Sequence, residues 1–219
     1  MRKTGILYLL VLIALSGNGQ AEFGLFAGPQ ITSAKYSTPE INLGKTSQKT
    51  ELKYGFQAGG TLRVQFENRF YFSPAVFYSM KGFKVTLTRP SLPPDTAAVN
   101  NDVTLHTFEL APLFQYNFSS EPGHFFIKAG PSIDIQLTGR EKYNTSGGGS
   151  VSRNMKFGFA DYGRFGANLL LHLGYESAGG LVIFAHYTHG VGSIVNTDKG
   201  PRIVHRAAGL SIGKYFNRK

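Results

Sequence analysis

From Thr107 to Thr138 the side-chain character changes at every position, and that period constrains the fold of this chain more than any other feature. Phe108, Leu110, Pro112, Phe114, Tyr116 and Phe118 share one parity. Thr107, Glu109, Ala111, Gln115 and Asn117 share the other, with Leu113 the one apolar intruder. A period of two is a strand. After the turn residues Ser119 to Gly123 the pattern resumes, with Phe125, Ile127, Ala129, Pro131, Ile133, Ile135 and Leu137 against Lys128, Gly130, Ser132, Asp134, Gln136 and Thr138. The two strands and their Pro-Gly turn read as a hairpin.

Alternation does not say which face is inside. A soluble sandwich buries its bulky face, whereas a transmembrane barrel turns that face to lipid. Strands of roughly 9 to 11 residues, with aromatic side chains at their ends, match a tilted crossing of a bilayer. The pattern recurs at about 23–36, 53–66, 70–85, 159–176, 181–194 and 202–216, and short turns near 67, 119 and 177 alternate with longer loops near 37, 86, 139 and 195. The expected fold is therefore all-β, an eight-stranded antiparallel up-and-down transmembrane β-barrel over residues 22–219, with both termini periplasmic. Its enclosed face is Gly, Ala, Ser, Thr, Gln and charge, which a soluble barrel would not put inside. Pro29, Pro74, Pro112 and Pro131 lie within strands and lack a ladder donor, so bulges are expected there. Gly147 to Gly149 read as a flexible loop.

Residues 1–21 are expected to be removed. Arg2 and Lys3 precede an apolar run from Gly5 to Leu15 that is too short to span as a helix, and small polar residues follow. This is the pattern of a secretory signal peptide, cut after Ala21 or, alternatively, after Gly19. The chain has no cysteine, which excludes a lipid-modified anchor, disulfides and thiolate metal sites.

GLFAGPQI, YFSPAVFYSMKGF, FELAPLFQY, FIKAGPSI and LSIGKYF, together with the signal peptide, resemble the small outer-membrane β-barrel proteins of the PorT-like, OmpX/OmpA-like group. The resemblance covers nearly all of the mature chain. It implies fold and location, the cell outer membrane, and carries no chemistry.

The inward parity collects Arg63, Glu67, Lys81, Glu109, Gln115, Lys128, Asp134, Gln136, Arg164, Asn168, His172 and Glu176. Hairpin symmetry sets Glu109 opposite Asp134. Two adjacent carboxylates repel unless a cation bridges them, so Lys81 or Arg164 is expected between them. The lumen charge network is read as Arg63, Lys81, Glu109, Lys128, Asp134 and Arg164, in a closed, hydrogen-bonded interior. Of the six histidines, His186 faces inward and His189 outward, so the two do not form one catalytic site. No enzyme activity, cofactor, metal site or nucleic-acid partner is expected.

Lys and Arg number 23 against 13 Asp and Glu, and once Arg2 and Lys3 are removed the excess falls in the half of the chain nearest the long loops. Cations at the loop bases suit the phosphates of lipopolysaccharide, and Arg140, Lys142, Arg153 and Arg202 are the residues expected to hold them. The functional expectation is a monomeric structural or surface-binding protein of the outer membrane, in contact with lipid and lipopolysaccharide and open to a protein partner through its loops. A narrow channel is the alternative, and an enzyme acting on lipid A the third.

Overall fold

The computed structural model describes residues 21–40, 44–158, 161–197 and 200–216. Apart from Ala21, the expected signal peptide lies outside the described residues. Among the described residues twelve strands make one sheet: β1 (Glu22–Glu40), β2 (Gly44–Glu51), β3 (Lys53–Glu67), β4 (Phe70–Phe72), β5 (Ala75–Thr86), β6 (Asn100–Ala111), β7 (Phe114–Asn117), β8 (His124–Asn144), β9 (Ser150–Asn154), β10 (Phe165–Glu176), β11 (Leu181–Gly190) and β12 (Arg202–Phe216). Every pairing between them is antiparallel, and among the described residues there is no helix. The ladder runs from β1 through β3, β5, β6, β8, β10, β11 and β12, and β12 pairs β1 again.

Twelve strands stand where alternation suggested eight, and proline accounts for part of the difference. Ser73 and Pro74 separate β4 from β5, and Pro112 and Leu113 separate β6 from β7. Proline cannot donate to a ladder, but the seam is kept by its neighbours: Ser73 N–H donates to Leu113 O (2.7 Å) and Leu62 N–H to Pro74 O (2.9 Å). The rest comes from the expected loops. Residues 37–40 extend β1 and residues 44–51 make β2, while residues 139–144 extend β8 and residues 150–154 make β9. Gly148 (φ 84°) sits in a turn in which its N–H reaches Thr145 O at 2.9 Å.

Pro29 and Pro131 lie in unbroken strands in constant register, opposite Phe56 and Leu169. Two bulges lie elsewhere: one in β3, where Gln65 pairs Tyr71 but Glu67 pairs Phe70, and one in β8. His106 pairs Thr138 but Thr107 pairs Gln136, which leaves Leu137 of β8 without a partner. One extra residue inverts the parity of a strand. Below the bulge Ser132, Asp134 and Gln136 point inward; above it Gly139, Glu141 and Tyr143 do.

The exposed face is apolar. Leu169, Leu171 and Leu173 of β10, Leu181 and Ile183 of β11 and Leu210 and Ile212 of β12 are each about half exposed. The buried face alternates in composition along the strands. One apolar cluster, with Phe26, Phe77, Leu113, Phe126, Leu170 and Phe184, lies near the short turns. A second, with Tyr36, Phe83, Leu105, Tyr162 and Ile203, lies near the loops. Polar side chains fill the level between. The expectation of a wholly small and polar interior misses these aromatic layers, which close packing of so narrow a space requires. At Gly28 a Cβ would meet Leu210 O at 2.0 Å, so the approach of β1 to β12 needs a residue without one.

Candidate functional site

The register places Glu109 directly opposite Asp134, and β5 aims Lys81 between them. Lys81 Nζ lies 2.5 Å from Glu109 Oε1 and 3.3 Å from Asp134 Oδ2. All three are at most 2% exposed, so the ammonium is the counter-charge that makes the carboxylate pair tolerable. Ser132 Oγ also donates to Glu109 (3.2 Å) and accepts from Asn168 Nδ2 (3.2 Å). On the far side of this level Gln57 donates to His186 Nδ1 (3.2 Å) and Ser211 Oγ (3.1 Å). The interior is not hydrogen-bonded throughout: both amide atoms of Gln136 find no hydrogen-bond partner among the described residues.

Nearer the short turns, Arg63 of β3 joins Glu22 of β1 and Glu176 of β10. Its guanidinium gives Glu176 a two-pronged contact, with Nη2 2.9 Å from Oε1, and its carbon centre lies 4.1 Å from the Tyr215 ring centroid. Lys128 donates to Tyr215 OH (2.7 Å) and Ser73 Oγ (3.1 Å). One cavity reaches this level, lined by Phe26, Leu113, Lys128, His172, Phe184 and Tyr215 among others; it holds about 20 Å³, room for about one water.

Arg164 stands apart from the network. It is exposed, donates to Gln136 O (3.2 Å) and lies over the Phe157 ring. Its segment precedes β10, so the alternation that would turn it inward has not begun. Gly166 takes the place opposite Asp134, where a Cβ would meet Asp134 Oδ1 at 2.0 Å. Glu67 is also exposed, at the turn. Arg63, Lys81, Glu109, Lys128 and Asp134 are all buried.

A third charged group caps the loop end. Glu141, fully buried, accepts from Arg153 Nε (2.6 Å), Tyr162 OH (2.8 Å) and Asn101 Nδ2 (3.0 Å). Arg153 also donates to Pro94 O (3.1 Å) and lies 3.6 Å from Asp161. Burial pushes the Asp161 carboxyl above its usual value against the pull of Arg153. Burial and the nearby Glu141 carboxylate hold the Tyr162 hydroxyl well above the ordinary tyrosine value. Arg153 is therefore a bolt between loops, and of the four expected phosphate-binding cations it is the one whose charge is already met from within.

Arg140, Lys142 and Arg202 are exposed on the outer wall, as are Lys35, Lys84 and Arg206. They lie just beyond the apolar face, whose loop-side limit is marked by two outward hydrogen-bonded pairs, Tyr78 with His106 and Tyr187 with His189. Amphipathic rings at such a boundary are characteristic of a membrane interface. His186 is buried while His189 faces out. Among the described residues no group of three or more His, Asp and Glu is placed to hold a metal ion.

The residues sequence reasoning missed are Glu141 and Tyr162, which lie beyond the bulge and in an irregular loop. No glycine or proline at Leu137 or Thr138 announces the parity change.

The model of the outer membrane protein β-barrel domain matches residues 16–196. No curated protein matches the chain. Among solved structures, it is similar to the attachment invasion locus protein Ail of Yersinia pestis, crystallised with the heparin analogue sucrose octasulfate (14% identity, 90% of this chain and 99% of that one, TM-score 0.44). It is also similar to Neisserial surface protein A (16%, 90% and 99%, TM-score 0.43) and to the outer membrane protein OprG of Pseudomonas aeruginosa (11%, 92% and 99%, TM-score 0.47). With most of its length matched by the family model, the chain belongs to the outer membrane protein β-barrel domain family.

Proposed function

We propose that the chain crosses the outer membrane eight times as a closed up-and-down barrel, and that it serves there as a structural or surface-binding protein. In this reading the crossings are β1, β3, β4 with β5, β6 with β7, β8, β10, β11 and β12, while β2 and β9 belong to loops on the outer side. Both termini then lie in the periplasm with the short turns. The observation that carries it is the filled interior: Lys81 and Arg63 each join strands across the enclosed space, one aromatic layer lies between them and a second lies on the loop side of Lys81. A barrel of eight strands is just wide enough for side chains to fill. With the interior filled at these levels, the surfaces left for function are the loops and the outer wall.

The outer wall offers cations at the height of the lipid headgroups. Arg140, Lys142 and Arg202 hold the phosphates of lipopolysaccharide in this reading, and Arg153 does not, because Glu141 and Asp161 already occupy it. Binding of purified lipopolysaccharide should weaken with added salt. It should also fall about tenfold when Arg140, Lys142 and Arg202 are changed to alanine together. Affinity unmoved by both treatments would remove the lipid explanation of the basic rim.

A further inference from the structure

On the outer wall the pairing of β1 changes hands, and the change opens a groove. Thr32 pairs Lys53 of β3, and Tyr36 pairs Gln48 of β2. Between them the three residues Ser33 to Lys35 face the four residues Lys49 to Leu52. The surplus residue breaks the β1–β2 ladder, although Ser33 Oγ and Thr50 Oγ1 remain 3.5 Å apart, and Lys49, Thr50 and Glu51 pair instead with Thr86, Val85 and Lys84 of β5. The space left is about 640 Å³, open to the outside, with Ile31, Lys35, Leu52, Tyr187, Arg206 and Ala208 in its lining.

The lining is divided. Ile31, Leu52 and Tyr187 are 42%, 63% and 41% exposed and give the part nearer the apolar band a greasy wall, with the small Ala208 beside them. Lys35 and Arg206 are the only charged residues of the lining, and neither is paired with a carboxylate among the described residues. Arg206 is the register partner of Ser33, which puts Lys35 diagonally across from it on the same face. Such neighbours lie about 7–8 Å apart, their Cβ atoms somewhat closer, a gap that one phosphate bridges. Glu51, the nearest acid on β2, lies at the β5 seam opposite Lys84.

We infer that this groove is a specific site for one phosphorylated, acylated lipid of the outer leaflet, its phosphate between Lys35 and Arg206 and an acyl chain along Ile31, Leu52 and Tyr187. The inference rests on the outer-wall orientation proposed above, and adds a defined seat to what would otherwise be a diffuse basic rim. Apolar burial alone would not select a headgroup, and two exposed cations alone would hold a phosphate weakly. The two together, at one step in the wall, select a lipid over either a free anion or a neutral chain.

The test is binding of bisphosphorylated, hexa-acylated lipid A to the full chain in a maltoside micelle, read by native mass spectrometry. Lys35→Ala with Arg206→Ala should weaken binding about tenfold, Leu52→Asp should weaken it comparably, and dephosphorylated lipid A should bind the unaltered protein as weakly as the double variant binds lipid A. Lys214→Ala, at the other end of β12, should change nothing. Retained gel mobility of the folded form checks that each variant is folded. Full affinity in the Lys35/Arg206 variant would overturn the groove, and so would complete displacement of lipid A by millimolar inorganic phosphate. If the groove variant binds normally while the Arg140, Lys142 and Arg202 variant does not, the basic rim survives and the groove falls. If neither variant nor salt alters binding, both fall.

Discussion

Replacing Lys81 by methionine is expected to destabilise the folded barrel by about 3–5 kcal/mol, the scale for leaving buried charge without its partner. The cause is specific. Glu109 and Asp134 face each other across one rung of the ladder, both almost inaccessible to water, and Lys81 is the cation between them. A size effect would persist whatever the carboxylates become; a charge effect would not. Adding Glu109→Gln and Asp134→Asn to Lys81→Met should bring stability back to within about 1 kcal/mol of the unaltered protein, because buried ion pairs exchanged for neutral groups of like volume are often near neutral. Urea titration of refolding into lipid vesicles, followed by the gel mobility of the folded form, measures both. A single variant as stable as the parent would mean that the three groups do not form the unit described.

Arg63→Ala should produce a second loss of about 3–5 kcal/mol, with a different signature. Arg63 grips the fully buried Glu176 with two nitrogens, reaches Glu22 and stacks on Tyr215. The planar fork makes this geometry, and a lysine ammonium cannot copy it. Arg63→Lys should therefore recover less than half of the loss, whereas Arg63→Ala combined with Glu176→Gln should recover most of it. Full rescue by lysine would show that a point charge suffices and that neither the fork nor the stacking contributes.

Much of this interior was legible in the residues, because a strand converts sequence parity directly into sidedness. Glu109, Lys128, Asp134 and His172 were assigned inward by parity alone, and hairpin symmetry about Ser119 to Gly123 set Glu109 against Asp134. Parity fails where the ladder fails. The unpaired Leu137 reverses β8 without any local signal, so Glu141 and Tyr143 read as loop residues although they cap the interior. Arg164 precedes the first residue of β10, and a parity count begun before the strand turns it inward. Pro74 and Pro112 divide strands while Pro29 and Pro131 do not. The basic excess of the loop half was plain in composition, but its division between Arg153, bonded within, and Lys35 and Arg206, facing out, depends on the β1–β2 step and the loop cap.

Conductance of the purified protein in planar lipid bilayers tests the central claim most directly, that the barrel is closed by its own side chains. The account predicts no steady current, since Arg63, Lys81 and two aromatic layers cross the enclosed space in succession and the cavity among them holds about 20 Å³. Steady, ohmic conductance by the folded, unaltered protein would contradict it and assign the chain to the channels.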